Sequence, residues 1–239
     1  KCAWVCEHYA KHATEYLAPQ EIKTDKKKSF VCYQPLGIVF AIMPWNFPFW
    51  QVFRFAAPTI MAGNAAIVKH APISTGAGNA IAELFLEAGF PKYLFQHFLL
   101  DNDSAAAVIA NEKIVAVTLT GSERAGSIVA ANAAQHLKKV VLELGGTDPY
   151  IVLADADLDL AATCIVTSRF NNTGQVCIAA KRIIAVRAIE AQLTDKVYTL
   201  AKSYQMGNPL DPSTNFGPIA REDLRKAIHK QVITSVAKG

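Results

Sequence analysis

Two hydrophobic rhythms alternate along this chain. Short, largely apolar runs occur at residues 37–43, 65–69, 95–100, 114–120 and 140–144, the first of them continuous. Between them lie longer segments in which apolar residues return every three or four positions. The runs predict strands buried on both faces of a parallel sheet, and the longer segments predict amphipathic helices. The first helix is expected over residues 3–17, with Val5, Tyr9, His12, Ala13 and Tyr16 on one face. A charged loop follows, then a strand from Phe30 to Tyr33. Further helices are expected from Pro48 to Gly63-Asn64, around Ile81, Leu84, Phe85 and Ala88 up to Gly89, and over 103–111 and 123–137. Five strands separated by helices predict an α/β fold with an open, doubly wound parallel sheet.

The pattern changes near Gly145-Gly146, which is the expected domain boundary. Beyond it come a strand at Pro149 to Leu153 and a helix from Asp157 to Arg169 with Leu160, Ala161, Cys164 and Ile165 facing inward. A strand from Arg182 to Arg187 and a helix marked by Leu193, Val197, Leu200 and Ala201 follow. Leu224, Ala227, Ile228 and Val232 stripe the last helix.

Composition narrows the function classes. With 239 residues, 51% hydrophobic and 18% charged, the chain can bury a sizeable core and is neither disordered nor fibrous. The net charge of +4 owes much to Lys26-Lys27-Lys28, read as a solvated loop; no interleaved aromatics point to nucleic acid. Five cysteines at irregular spacings do not make a disulfide framework, which argues for a reducing compartment and a cytoplasmic location. Cys2 and Cys6 stand one helical turn apart, but no Cys or His cluster completes a metal site, so a core face is expected there. No apolar run reaches the ~18 residues of a membrane span.

The candidate chemistry lies in Phe170-Asn171-Asn172-Thr173-Gly174-Gln175-Val176-Cys177 and in Leu142-Glu143-Leu144-Gly145-Gly146. A sulfur nucleophile and a carboxylate base suit covalent chemistry on a carbonyl. A lone cysteine is more often inert packing, and a strand-end glutamate more often solvated or ion-paired. Convergence strengthens the functional reading. The predicted strands end in Pro44-Trp45-Asn46, Lys69, Thr120-Gly121-Ser122 and Glu143, and a doubly wound sheet gathers such ends along one crevice. Gly121 and Ser122 open a helix directly after a strand, where backbone amides and the helix dipole favour phosphate.

Taken in order and spacing, Pro44-Trp45-Asn46-Phe47-Pro48, Lys69, Thr120 to Gly126, Leu142 to Gly146 and Phe170 to Cys177 with Arg182 resemble the aldehyde dehydrogenase superfamily. The resemblance covers essentially the whole chain, Gly207-Asn208-Pro209 and Gly217-Pro218 included. Pro44 through Phe55 and Lys69-His70-Ala71 resemble its NAD(P)-dependent succinate-semialdehyde dehydrogenase branch. The resemblance implies a dinucleotide-binding domain over residues 1–145, with part of an oligomerisation strand near 30–35, and the N-terminal portion of a catalytic domain over 146–239. It implies Cys177 as nucleophile, Asn46 and the Cys177 amide as oxyanion donors, and Glu143 as the base that activates water. Met43, Pro44, Trp45, Lys69, Gly121, Ser122, Leu144 and Gly145 would line NAD or NADP. Arg54 is the candidate for reading a substrate carboxylate. A small aldehyde substrate and a homodimer or homotetramer are further implications.

Two departures from the family pattern bear on these expectations. Pro72 stands where NAD-preferring members often carry an acidic residue, which leaves NADP open. The family also extends beyond both ends of this sequence, so the resemblance implies a central segment of a longer chain, expected to lack turnover on its own. CoA-acylating oxidation and a non-catalytic scaffold of the same fold remain as alternatives; Glu143 argues against the first, and the joint presence of Cys177, Glu143 and Asn46 against the second.

Overall fold

Helix α1 (Cys2–Tyr16) and an antiparallel pair, β1 (Gln20–Glu21) with β2 (Phe30–Val31), open the computed structural model, which describes residues 1–239. Then follow β3 (Ile38–Met43), α2 (Pro48–Met61), β4 (Ala65–His70), α3 (Thr75–Glu87), β5 (Phe95–His97), α4 (Asn102–Ala110), β6 (Ile114–Thr120), α5 (Glu123–Gln135) and β7 (Lys139–Glu143). The five strands β3 to β7 form one parallel sheet in the order β5-β4-β3-β6-β7. The chain therefore winds outward from β3 to β5, returns, and continues on the other side of β3. That reversal opens a crevice between the carboxyl ends of β3 and β6, where such sheets bind ligands.

Both faces of the sheet are covered, as the apolar runs predict. Phe40, Val117 and Leu119 pack with Ala105 and Ile109 of α4 and Val129 and Ala133 of α5. Ala41, Met43, Ala66 and Val68 pack on the opposite face with Val52 and Ala56 of α2 and Ile81 of α3. Alternate residues of a single apolar run thus serve two cores. β5 is shorter than expected, ending at His97 rather than Leu100, because it is an edge strand paired only with Ala66 to Val68.

The chain divides into two compact units, Lys1–Gly145 and Gly146–Gly239. In the second, β8 (Pro149–Val152) and β9 (Arg182–Ala185) pair in parallel. Helices α6 (Leu158–Phe170) and α7 (Glu190–Lys202) bury Val152, Ala162, Ile165, Ile189 and Leu193. Asp157 caps α6, its carboxylate accepting from the Asp159 and Leu160 amides at 3.0 Å. The expected inward face of α6 needs correction: Ala161 and Ile165 do turn to the core, but Leu160 and Cys164 are exposed. The cap fixes the helical phase so that 158, 161, 162 and 165 share the buried side. Helix α8 (Glu222–Val236) buries none of its residues, so Ile228 and Val232 of its apolar stripe face outward.

Candidate functional site

The sheet register brings the predicted polar exits of the first unit level with one another. Met43 pairs with His70, Ile42 with both Lys69 and Leu119, and Thr120 with Glu143. Four strands therefore end along one edge. At that edge β4 carries Lys69 as its penultimate residue and β7 ends on Glu143; past it β3 delivers Pro44, Trp45 and Asn46, β6 delivers Gly121 and Ser122, and β7 leads into Leu144 and Gly145. The Gly121 amide donates to the Glu143 carbonyl at 3.0 Å, carrying the ladder one step beyond the strands. Pro48 occupies the first position of α2, where its missing N–H costs nothing. Asn46, two residues earlier, is held half-buried at the helix entry.

Helix α2 carries Arg54 back toward β7. Its Nη1 lies 3.7 Å from Glu143 Oε2. Both side chains remain partly open to solvent, and an ion pair of this kind stabilises the fold little. It does bring a guanidinium and the candidate base into one place. Gln51, one turn before Arg54, is 4% exposed. Gln51, Arg54, Glu143 and Thr118 all line a cavity of about 410 Å³.

The crevice at the β3–β6 reversal has the features a dinucleotide needs. Ser122 caps α5, its Oγ accepting from the Ala125 amide at 3.3 Å. A Cβ at Gly126 would come within 2.6 Å of Leu144 Cδ2, so glycine lets α5 settle against the segment after Glu143 without displacing that side chain. Lys69 is 6% exposed and therefore not a surface lysine. Burial lowers its pKa, an effect the nearby Asp101 carboxylate opposes. A slot of about 190 Å³ runs between α4 and α5, with Ile42, Lys69, Ala105, Leu119, Ser122 and Ala125 in its lining. Apolar walls with a buried cation and a helix N-terminus at the rim fit a flat heteroaromatic ring bearing phosphates. Pro72 begins a single 3-10 turn ahead of α3 and contributes no carboxylate there.

In the second unit the chain reaches Cys177 through a strained approach. Asn172 (φ 49°), Thr173 (φ 57°) and Gly174 (φ 74°) all take the left-handed region. For a β-branched residue such as Thr173 that conformation is a true outlier. Surrounding bonds hold it: Thr173 Oγ1 donates to the Gly217 carbonyl at 3.2 Å, and Gln175 Oε1 accepts from the Ala220 amide at 2.9 Å. Gln175 Nε2 also donates to the Asn172 carbonyl at 3.1 Å. Lys181 Nζ donates to the Cys177 carbonyl, and Arg182 Nε to that of Thr147 at 3.0 Å. Cys177 itself is exposed and carries a free thiol. A strained, over-determined turn that presents an exposed thiol is a nucleophile's setting more than a packing residue's.

The model of the aldehyde dehydrogenase family matches residues 1–239, the whole chain. The chain belongs to the aldehyde dehydrogenase family. It is 48% identical over 239 residues to a probable NADP-dependent succinate-semialdehyde dehydrogenase of Synechocystis sp., covering 53% of that protein. It is 45% identical to an NAD(P)-dependent succinate semialdehyde dehydrogenase of Escherichia coli, covering 52% of it. Among solved structures, a Streptococcus pyogenes succinic semialdehyde dehydrogenase in complex with NADP+ superposes with a TM-score of 0.97 at 34% identity, over all of this chain and 52% of that one. The chain spans about half the length of the curated relatives it matches.

Sequence reasoning passed over two residues of this aldehyde dehydrogenase unit. Gln51 is a lone amide within Phe49-Trp50-Gln51-Val52-Phe53, a polar interruption that could have flagged it. His70 was legible only as part of a variant tripeptide; its contact with the start of α2 is a tertiary feature without a local signal.

Proposed function

We propose that the protein containing this chain is an NAD(P)-dependent aldehyde dehydrogenase that oxidises a short carboxylated aldehyde, succinate semialdehyde being the leading substrate, to the acid. The level ending of β3, β4, β6 and β7 carries this reading, because it sets Asn46, Lys69, Gly121-Ser122 and Glu143 along a single edge. Residues 1–145 serve as the dinucleotide-binding domain and 146–239 as the first portion of the catalytic domain.

In this mechanism the Cys177 thiolate attacks the aldehyde carbon to form a thiohemiacetal. The Asn46 amide and the Cys177 backbone N–H hold the developing oxyanion, a contribution of roughly 3–4 kcal/mol for such donors. NAD(P)+ supplies the hydride acceptor when bound. Lys69, Ser122 and Gly121 would hold its ribose and phosphates, with Met43, Pro44, Trp45, Leu144 and Gly145 around them. Once the sulfur adduct has been oxidised to a thioester, Glu143 takes a proton from water, the water oxygen bonds the acyl carbon, and the Cys177 thiolate leaves. Arg54 reads the distal carboxylate of the substrate. The experiment is Glu143→Gln in the full-length protein: about one equivalent of reduced cofactor per subunit should form in a burst and turnover should stop. Undiminished steady-state turnover would remove Glu143 from this role.

The reading extends to a cytoplasmic homo-oligomer. All five cysteines are free, and no helix is long and apolar enough to cross a membrane. β2 is paired on one side by β1, while Phe30, Val31 and Tyr33 remain exposed, an apolar strand that another subunit could cover.

A further inference from the structure

Gln51 poses a question that the assigned roles do not answer. Its side chain is 96% buried, and its Oε1 is sealed from solvent with no hydrogen-bond partner. Buried polar groups are almost always paired, and one left unpaired is unfavourable. An apolar residue would pack more favourably at this point of α2, whose neighbours Val52 and Ala56 are pure core. The amide therefore does nothing for the fold that Met or Leu could not do. It does face a cavity, the one it lines with Arg54 and Glu143.

We propose that Gln51 is a specificity-determining residue that reads the distal carboxylate of the substrate together with Arg54. The proposal rests on the aldehyde dehydrogenase reading above and deepens it. Arg54 cannot discriminate well alone, because its charge is already answered by Glu143 at 3.7 Å. A carboxylate arriving there meets a nearly neutral pair, and Glu143 repels it. A second donor without charge offsets that repulsion. Oε1 is the sealed atom, whereas Nε2 carries two N–H donors, and a carboxylate accepts at both oxygens. Arg54 lies one helical turn further along α2, so the two donors project from neighbouring positions of one face. An uncharged aldehyde of the same length offers the Gln51 amide no charged acceptor.

The test is Gln51→Met in the full-length protein, assayed with succinate semialdehyde, 4-hydroxybutanal and pentanal. The ratio of kcat/KM for the carboxylated aldehyde over pentanal should fall about 10-fold or more, the effect of one hydrogen bond to a charged group, mostly through KM. The inhibition constant of succinate should rise by a similar factor, while the 4-hydroxybutanal ratio stays within about threefold. The melting temperature should hold or rise, since an unpaired buried amide is replaced by an apolar chain of similar volume; a structural amide would give a drop. Gln51→Glu should depress the carboxylate ratio further. An unchanged carboxylate ratio in Gln51→Met would overturn the proposal while leaving the dehydrogenase reading intact. A selective loss of the hydroxylated substrate would also overturn it. A wild-type protein without preference for the carboxylated aldehyde would remove the substrate reading on which it stands.

Discussion

The His70 imidazole Nε2 lies 3.0 Å from the Pro48 carbonyl oxygen, tying the end of β4 to the first residue of α2. Nδ1 of the same ring is buried without a partner. The ring must then be neutral, with Nε2–H donating, because a second N–H would find no acceptor. His97 packs edge-on against it with ring centroids 5.3 Å apart, and His97 Nδ1 is 2.8 Å from Asn79 Oδ1. The entry to α2, two residues after Asn46, is thus braced by a pair of uncharged imidazoles.

This brace makes stability depend on pH. Burial lowers the His70 pKa, opposed by the Pro48 hydrogen bond, and burial followed by the repulsion that a protonated His70 would exert lowers that of His97. The groups beside them are Lys69, adjacent in the chain, and the neutral Asn79. Since the folded pKa values lie below the unfolded one, both states are neutral above the ordinary histidine pKa of about 6.5, and stability there is complete. As pH falls below that value the unfolded chain binds protons that the folded chain refuses. Thermal melts should show stability falling from pH 7 toward pH 5, by at most ~1.4 kcal/mol per pH unit for each ring. The slope should flatten in His70→Asn; an identical slope in that variant would exclude His70 as its source.

Gly78 of α3 makes room for the His97 ring. A Cβ there would stand 2.4 Å from His97 Nε2, a contact no packing tolerates. The ring cannot simply swing aside, since Asn79 and His70 hold it. Gly78→Ala should therefore cost about 1–3 kcal/mol by overpacking, although alanine is otherwise the better helix former. Chemical denaturation measures this directly, and a neutral or stabilising outcome would mean that the pair is looser than described.

The cysteine approach predicts a different balance. Gly174 sits at φ 74°, and a Cβ would meet the Arg169 carbonyl oxygen at 3.1 Å. Gly174→Ala should cost about 1–2 kcal/mol in stability, because the left-handed region disfavours a side chain. Displacing the proposed nucleophile Cys177, three residues away, should lower kcat by about tenfold or more in the full-length protein. Stopped-flow rates of the first turnover, compared with denaturation curves, separate the two effects. A loss of stability with unchanged kcat would show that Cys177 is positioned independently of this turn.

Much of this architecture was legible in the apolar runs. The stretch from Gly37 to Met43 announced a strand buried on both faces, and it became the centre of the sheet. The ends of those strands, near Asn46, Lys69, Ser122 and Glu143, were legible for the same reason: the apolar runs themselves mark where each strand stops. What escaped were features fixed by phase or by long-range contact. The inward side of α6 was misassigned at Leu160 and Cys164 because periodicity alone does not set phase, whereas the Asp157 cap does. The stripe on α8 was real as a pattern but found no core in this chain. The burial of Lys69 and the brace between His70 and Pro48 depend on partners more than twenty residues away, which no local window contains.

The central claim is that Cys177 is the nucleophile of aldehyde oxidation. It is tested most directly by following reduced-cofactor formation in the full-length protein with succinate semialdehyde, using NAD and NADP in turn, for the wild type and Cys177→Ala. The account predicts turnover with NADP, NAD or both in the wild type. In the variant it predicts neither turnover nor a burst, although cofactor binding by fluorescence titration is retained. Steady oxidation by Cys177→Ala at a rate near that of the wild type would contradict it.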